Sequence, residues 1–337
     1  MKIDVFTHII TPGYRRRVLE LLHARGDRSA ADYERMMSLD PTLTDLDARF
    51  RLMDQLGEDY RQVLVMGHTS AEHEPPDAAR ELARIGNQEL AETVARHPDR
   101  FVGWVAQTAL QDGERGLEAI EQAIGEGALG AQVYTHIQGR CLDEPRFEPF
   151  FELMAKLERP VWIHPNRSVQ WSDFPLTEPE SRYGLYARAG WPTDTAVTMA
   201  RLVYAGYLER WPKLRIIVHH SGGSVPMIAG RLKTLQAGPH TPEIAARLKH
   251  PPLHYLRRFY ADTANFGNPI ALRAALEFFG SERVLFGTDF GFSTRFAPET
   301  LEDIEVVIAD QALKRAVYEE NPRRVLRLPD PQDRRTA

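Results

Sequence analysis

Residues 215–224 read RIIVHHSGGS and residues 284–290 read VLFGTDF. Each is a short apolar run that stops abruptly at residues able to hold a metal ion or a proton. Neither alternates apolar with polar side chains, so each suits a strand that is buried on both faces of a parallel sheet. Working outward from these two, the predicted strands are Lys2–Phe6, Gln62–Met66, Phe101–Ala106, Gly130–Tyr134, Val161–His164, Arg215–His219, Arg258–Asp262 and Val284–Gly287. Amphipathic stretches separate them. Asp77–His97 carries Ala, Leu and Ile at helical spacing, and Asp194–Arg210 does so with Ala196, Met199, Ala200, Leu202 and Val203. Eight strand–helix units in one chain of this length predict an α/β protein built as a closed (β/α)8 TIM barrel. An open, doubly wound sheet would want a glycine-rich phosphate turn after an early strand, and the chain has none.

The barrel is expected to occupy residues 1–328 as a single domain, with 329–337 (PDPQDRRTA) as a tail. Two long connections break the regular alternation, residues 7–61 after the first strand and 165–193 after the fifth. Loops of that length in a compact barrel are expected to cap an active site. The second holds Trp171, Phe174, Tyr183, Tyr186 and Trp191. A net charge of -5, with no basic stripe, argues against nucleic acid as a partner. Arg15–Arg17 reads as a solvated helix face. The single cysteine, Cys141, rules out an internal disulfide framework and a Cys-based zinc site. No apolar run is long enough to span a membrane, and the N-terminus lacks the apolar stretch of a signal peptide, so a cytoplasmic protein is expected.

Placed on a barrel, His8 falls just past strand 1, His164 ends strand 5, His219 and His220 end strand 6, and Asp289 lies just past strand 8. All are at the carboxyl ends of strands, where barrel enzymes keep their active sites. Any one of these histidines alone reads more readily as a hydrogen-bonded core group, and Asp289 as a helix or turn cap. Their joint placement at one end of one barrel favours a site. Imidazole and carboxylate donors suit zinc first, and also manganese, iron or magnesium. His219 lies in line with its strand and turns away from His220, which makes it structural.

These motifs resemble the amidohydrolase superfamily, and within it the decarboxylase branch typified by aminocarboxymuconate semialdehyde, resorcylate and salicylate decarboxylases. The resemblance runs through nearly the whole chain, in MKIDVFTHI, RFVGWVA, VWIHP, GWPTDT, HHSGGSVP and LFGTDF. It implies metal ligands His8, His164 and Asp289, and a catalytic His220, six residues before the proline of GGSVP. One position departs from the pattern. The first ligand of the family's H-x-H pair is here Phe6, which cannot bind a cation. Three protein ligands plus water still make a catalytic site. Strand 4 reads GAQVYTH, without the bridging lysine or glutamate of two-metal relatives, so one ion is expected.

The resemblance implies non-oxidative decarboxylation of a small aromatic or unsaturated carboxylic acid, with His220 and Asp289 handling the proton, and a homodimer. The same residues would serve hydrolysis of a lactone, ester or amide, and Phe6 leaves open a degenerate barrel that binds without turnover. Candidate substrate contacts are Trp191 first, then Arg49, Arg182, Arg188 and the backbone amides of Ser221–Ser224; His68 and His136 point toward the same face.

Overall fold

A computed structural model describes residues 1–26, 29–67, 71–233 and 240–329. Its barrel strands are β1 (Lys2–Ile9), β2 (Tyr60–Met66), β3 (Phe101–Trp104, continued by Ala106–Gln107), β4 (Ala131–Tyr134), β5 (Val161–His164), β6 (Ile216–Val218), β7 (Tyr260–Asp262) and β8 (Val284–Leu285). All eight lie where the apolar runs predict them. The pairing is parallel throughout, from β1 to β3 and from the extension of β3 through β4 to β8. The two sheets join where Leu129 N donates to Trp104 O, and β8 returns to β1 where Val5 N donates to Phe286 O and His8 N to Phe290 O. The ring closes in the order β1 to β8.

Ile3, Val5, Val63, Val65, Val105, Leu129, Trp162, Ile217, Tyr260 and Leu285 fill the barrel interior, joined by Val325 and Leu326 of the last helix, Asn321–Leu326. A much larger apolar layer fills the space between strands and helices. That division explains why the strands read as unbroken apolar runs: each has one face on each cluster.

β1 is longer than expected, and the reason matters for the site. Asp4 pairs with Gln62 and Thr7 with Leu64, so Val5 and Phe6 together oppose Val63. This β-bulge resets the alternation of side chains. Without it, His8 would share the outward face of Asp4; with it, Phe6 and His8 both reach the barrel axis. His8 therefore lies within the strand, not past it.

The connection after β1 is largely helical. It holds helices Pro12–Arg25, Ser29–Met37 and Leu46–Leu56. The connection after β5 has no regular element until a π-turn at Tyr186–Gly190 leads into the helix Trp191–Tyr204. Residues 330–337 of the expected tail lie outside the described residues, as does His68.

Candidate metal centre and cleft

The bulge brings His8 to the centre of the barrel's carboxyl end, where His164 arrives on β5 and Asp289 just beyond β8. Ligand atoms of these three side chains all lie within 4.8 Å of one another. His8 Nε2 is 3.2 Å from Asp289 Oδ1. All three residues are buried. The Nδ1 of His164 is 2.7 Å from the carbonyl of Pro165; a carbonyl only accepts, so Nδ1 carries the hydrogen and Nε2 is the basic nitrogen.

Burial shifts the protonation of these groups. It pushes the Asp289 carboxyl up to about 7, reinforced by Asp262 and opposed by His220. It pushes His8 down to about 3. Among the described residues, His8 Nε2 and Asp289 Oδ1 are buried with no hydrogen-bond partner. Buried polar atoms of a folded protein are nearly always satisfied, and an orphaned imidazole nitrogen facing an orphaned carboxylate oxygen suits a cation held by both. Two imidazoles and a carboxylate fit a single divalent ion with open positions for water or substrate.

Phe6 lies in the middle of this floor. Its ring stacks on His219 at 3.5 Å between centroids and stands edge-on to His8 at 4.8 Å and to His220 at 5.5 Å. The position that carries a ligand in the H-x-H pattern is thus closed by an apolar ring. His219 is fully buried, with Nδ1 2.8 Å from Asp262 Oδ2. It belongs to the floor's packing. His220 turns the other way, into the cleft.

Backbone strain marks the same places. His220, Ser221 and Asp289 take left-handed φ values of 54°, 55° and 59°. Such conformations persist in side-chain-bearing residues only where surrounding contacts over-determine them, and they gather at functional sites.

Above the floor opens a cleft of about 660 Å³. His220, Asp289, Trp191, Phe266, Phe292 and Arg188 are among its walls. Trp191 stands edge-on to His164 at 5.6 Å, and its Nε1 donates to Arg167 O. A second lobe of about 680 Å³ shares Met36, Leu39 and Tyr186 with the first and reaches Asn166 and Arg167.

Other expected contacts fall elsewhere. Arg49 is fully buried beneath the floor and donates to Gln62 Oε1, His8 O and Thr42 O, a place from which it ties β1 down and meets no ligand. Arg182 is exposed, pairs with Glu178 at 3.4 Å and is not among the cleft's walls. The amides of Ser221–Ser224 are already used: they donate to Asp262 Oδ1, His219 O, His220 O and Pro192 O. No anion site is left there. His136 sits in a small hairpin, tilted against Trp171 at 4.7 Å, in a separate pocket of about 100 Å³ with Cys141.

Phe266, Phe292 and Asp262 were not anticipated. Asp262 had a signal, since it ends β7 just as His164 ends β5. The two phenylalanines had none, because loop aromatics are common and only the folded loop aims them.

The amidohydrolase family model matches residues 3–328 of the chain. The chain is 30% identical over 282 residues to a gamma-resorcylate decarboxylase of a Polaromonas species, covering 79% of this chain and 83% of that one. It is 26% identical over 306 residues to 2-amino-3-carboxymuconate-6-semialdehyde decarboxylase of Dictyostelium discoideum, covering 87% and 82%. Among solved structures, 5-carboxyvanillate decarboxylase of Novosphingobium aromaticivorans, complexed with manganese and 4-hydroxy-3-methoxy-5-nitrobenzoic acid, superposes with a TM-score of 0.82 at 23% identity over 97% and 96% of the two chains. A 2,6-dihydroxybenzoate decarboxylase with its substrate gives 0.76 at 24% identity over 97% and 99%. These likenesses establish the barrel.

Proposed function

Because the chain belongs to the amidohydrolase family, we propose that it is a metal-dependent carboxy-lyase that removes carbon dioxide, without oxidation, from a small aromatic or unsaturated carboxylic acid. The observation that carries this reading is the buried cluster of His8, His164 and Asp289 at the base of an aromatic-walled cleft. Curated relatives named as decarboxylases of aromatic acids support it.

His8, His164 and Asp289 would hold one divalent ion, for which zinc and manganese both suit the donors. When bound, the ion supplies Lewis acidity that withdraws charge from a substrate oxygen. The chain's own groups do the rest. Trp191 and Phe292 flank the ring plane and keep water from the reacting carbon. The carbon–carboxyl bond breaks, its electron pair stays on the ring carbon, and a proton must arrive there. His220, on the cleft wall, and Asp289 are the pair that hold and pass that proton. Arg188, at the cleft's rim, is the candidate partner for a substrate oxygen. Arg49 is not assigned such a role, since it lies buried against backbone carbonyls. We also propose a homodimer, on the family resemblance, and a cytoplasmic location; among the described residues no helix is long and apolar enough to cross a membrane.

The test is incubation with 2,6-dihydroxybenzoate and related hydroxybenzoates in deuterated water. The reading expects carbon dioxide and a product with one deuterium on the ring carbon that bore the carboxyl group. Hydrolysis of lactones with no carbon dioxide from any acid would replace it by the hydrolase alternative.

A further inference from the structure

Asp4 makes a dense set of polar contacts beside the floor, and nothing in the proposed chemistry uses it. It is fully buried on β1. Its Oδ1 accepts from Phe6 N at 3.1 Å and from Thr288 N at 3.1 Å. Its Oδ2 accepts from Thr288 Oγ1 at 2.5 Å and from the hydroxyl of Tyr60. One carboxylate thus links β1, β2 and the segment after β8.

Two of these contacts are to residues within two positions of the proposed metal ligands. The first is Phe6 N, the amide of a residue in the bulge. An extra residue in a strand leaves its backbone out of the ladder, and Asp4 satisfies it from within the same strand. That bulge is what turns His8 toward the axis. The second is Thr288, the neighbour of Asp289. Asp289 has a φ of 59°, a strained conformation for a residue with a side chain. Two bonds to Asp4 fix Thr288 at backbone and hydroxyl and so hold the entry to that turn. The fit around the turn is close: a Cβ added at Gly287 would come 3.1 Å from Phe6 Cβ, and one at Gly291 would come 2.6 Å from His8 O.

We infer that Asp4 is a positioning residue for the metal centre, setting His8 through the Val5–Phe6 bulge and Asp289 through Thr288. The inference rests on the metal-site reading and deepens it. Groups that orient metal ligands from behind typically change metal affinity about 10–100-fold when removed. A carboxylate that only tied strands together would change stability and leave affinity alone.

The experiment titrates metal-free parent, Asp4→Asn, Thr288→Val, Thr288→Ser and Asn321→Ala with Mn2+ against a chromophoric chelator, and melts each without metal. Asn321 is the control. It donates to Ser281 O and Val284 O and ties the start of β8 to the last helix, far from the ligands. The expected result is Mn2+ affinity weakened about 10–100-fold in Asp4→Asn and Thr288→Val, parent-like affinity in Thr288→Ser, and a lower melting temperature with unchanged affinity in Asn321→Ala. If Asp4→Asn does not fold, the contrast of Thr288→Val with Thr288→Ser decides. Folded Asp4→Asn and Thr288→Val that bind Mn2+ as tightly as the parent overturn the positioning role and leave the metal site standing. A parent that takes up no Mn2+ overturns the metal site itself, and this role with it.

Discussion

The floor and the rim of the cleft are built in opposite ways. On the floor, His8, His164, Asp289, Phe6, His219 and Asp262 are all buried, and they hang from strand ends whose partners are other strands. Above it, the connection after β5 gives Tyr186, Arg188 and Trp191 to the cleft and leaves Phe174, Leu176 and Tyr183 67%, 99% and 77% exposed. Side chains on the floor are placed by a hydrogen-bonded ring in which a strand that slips by one residue turns its side chains to the other face. Those on the rim are placed by a few local turns. We therefore assign chemistry to the floor and choice of substrate to the rim.

The largest effect expected from breaking the floor is on rate. His220→Ala should lower turnover of any acid the protein decarboxylates by about 10²–10⁴, with substrate affinity little changed, measured as carbon dioxide release under saturating substrate. A change confined to KM would move His220 from chemistry to binding.

A smaller effect is expected from Glu72, buried in the turn after β2, away from the cleft's walls. Both its oxygens lack a hydrogen-bond partner among the described residues, and burial pushes its carboxyl up to about 8 from an ordinary 4.5. The folded state keeps this proton when the unfolded chain has lost it. Stability from this group is therefore full below pH 4.5 and declines as pH rises toward about 8. Glu72→Gln should stay as stable as the parent at pH 5 and become more stable at pH 8, by a few kcal/mol at most, since each tenfold change in proton affinity is worth about 1.4 kcal/mol. Parallel melting curves for the two proteins across that range would show that Glu72 has a partner when folded.

The rim gives the smallest expected change. Trp191→Ala should raise KM for an aromatic acid while Trp191→Phe largely restores it, since an aromatic contact is worth about 0.5–1.5 kcal/mol beyond buried area. An equal loss in both variants would assign Trp191's role to its Nε1 bond with Arg167 O instead of to stacking.

The same contrast explains how much could be read from sequence. Strand ends announce themselves: an apolar run that stops at His164 or at His219–His220 gives both the element and the direction of its last side chain. The ring order then follows from counting. Asp262 obeys the same rule and could have been found by it. The bulge could not. Nothing in KIDVFTHI says that Val5 and Phe6 share one partner, because that depends on the register of β2. Without it, Phe6 reads only as a lost ligand, whereas the fold makes it the apolar centre of the floor, stacked on His219. Arg49 failed for a related reason. An arginine after strand 1 looks available to a substrate, but the helix Leu46–Leu56 turns it inward, where it caps carbonyls of β1 and its loop. The backbone amides after β6 failed because a glycine-rich helix start attracts anions only while its N–H groups are unused, and here protein acceptors take them.

We infer that three ligands beside an apolar ring still make a metal site. This is tested most directly by elemental mass spectrometry on the purified parent and on His164→Ala prepared in the same way, before and after reconstitution with zinc or manganese. Close to one equivalent of a divalent transition metal is expected in the parent, and its loss in the variant. Metal absent from both, or retained equally by both, would contradict it.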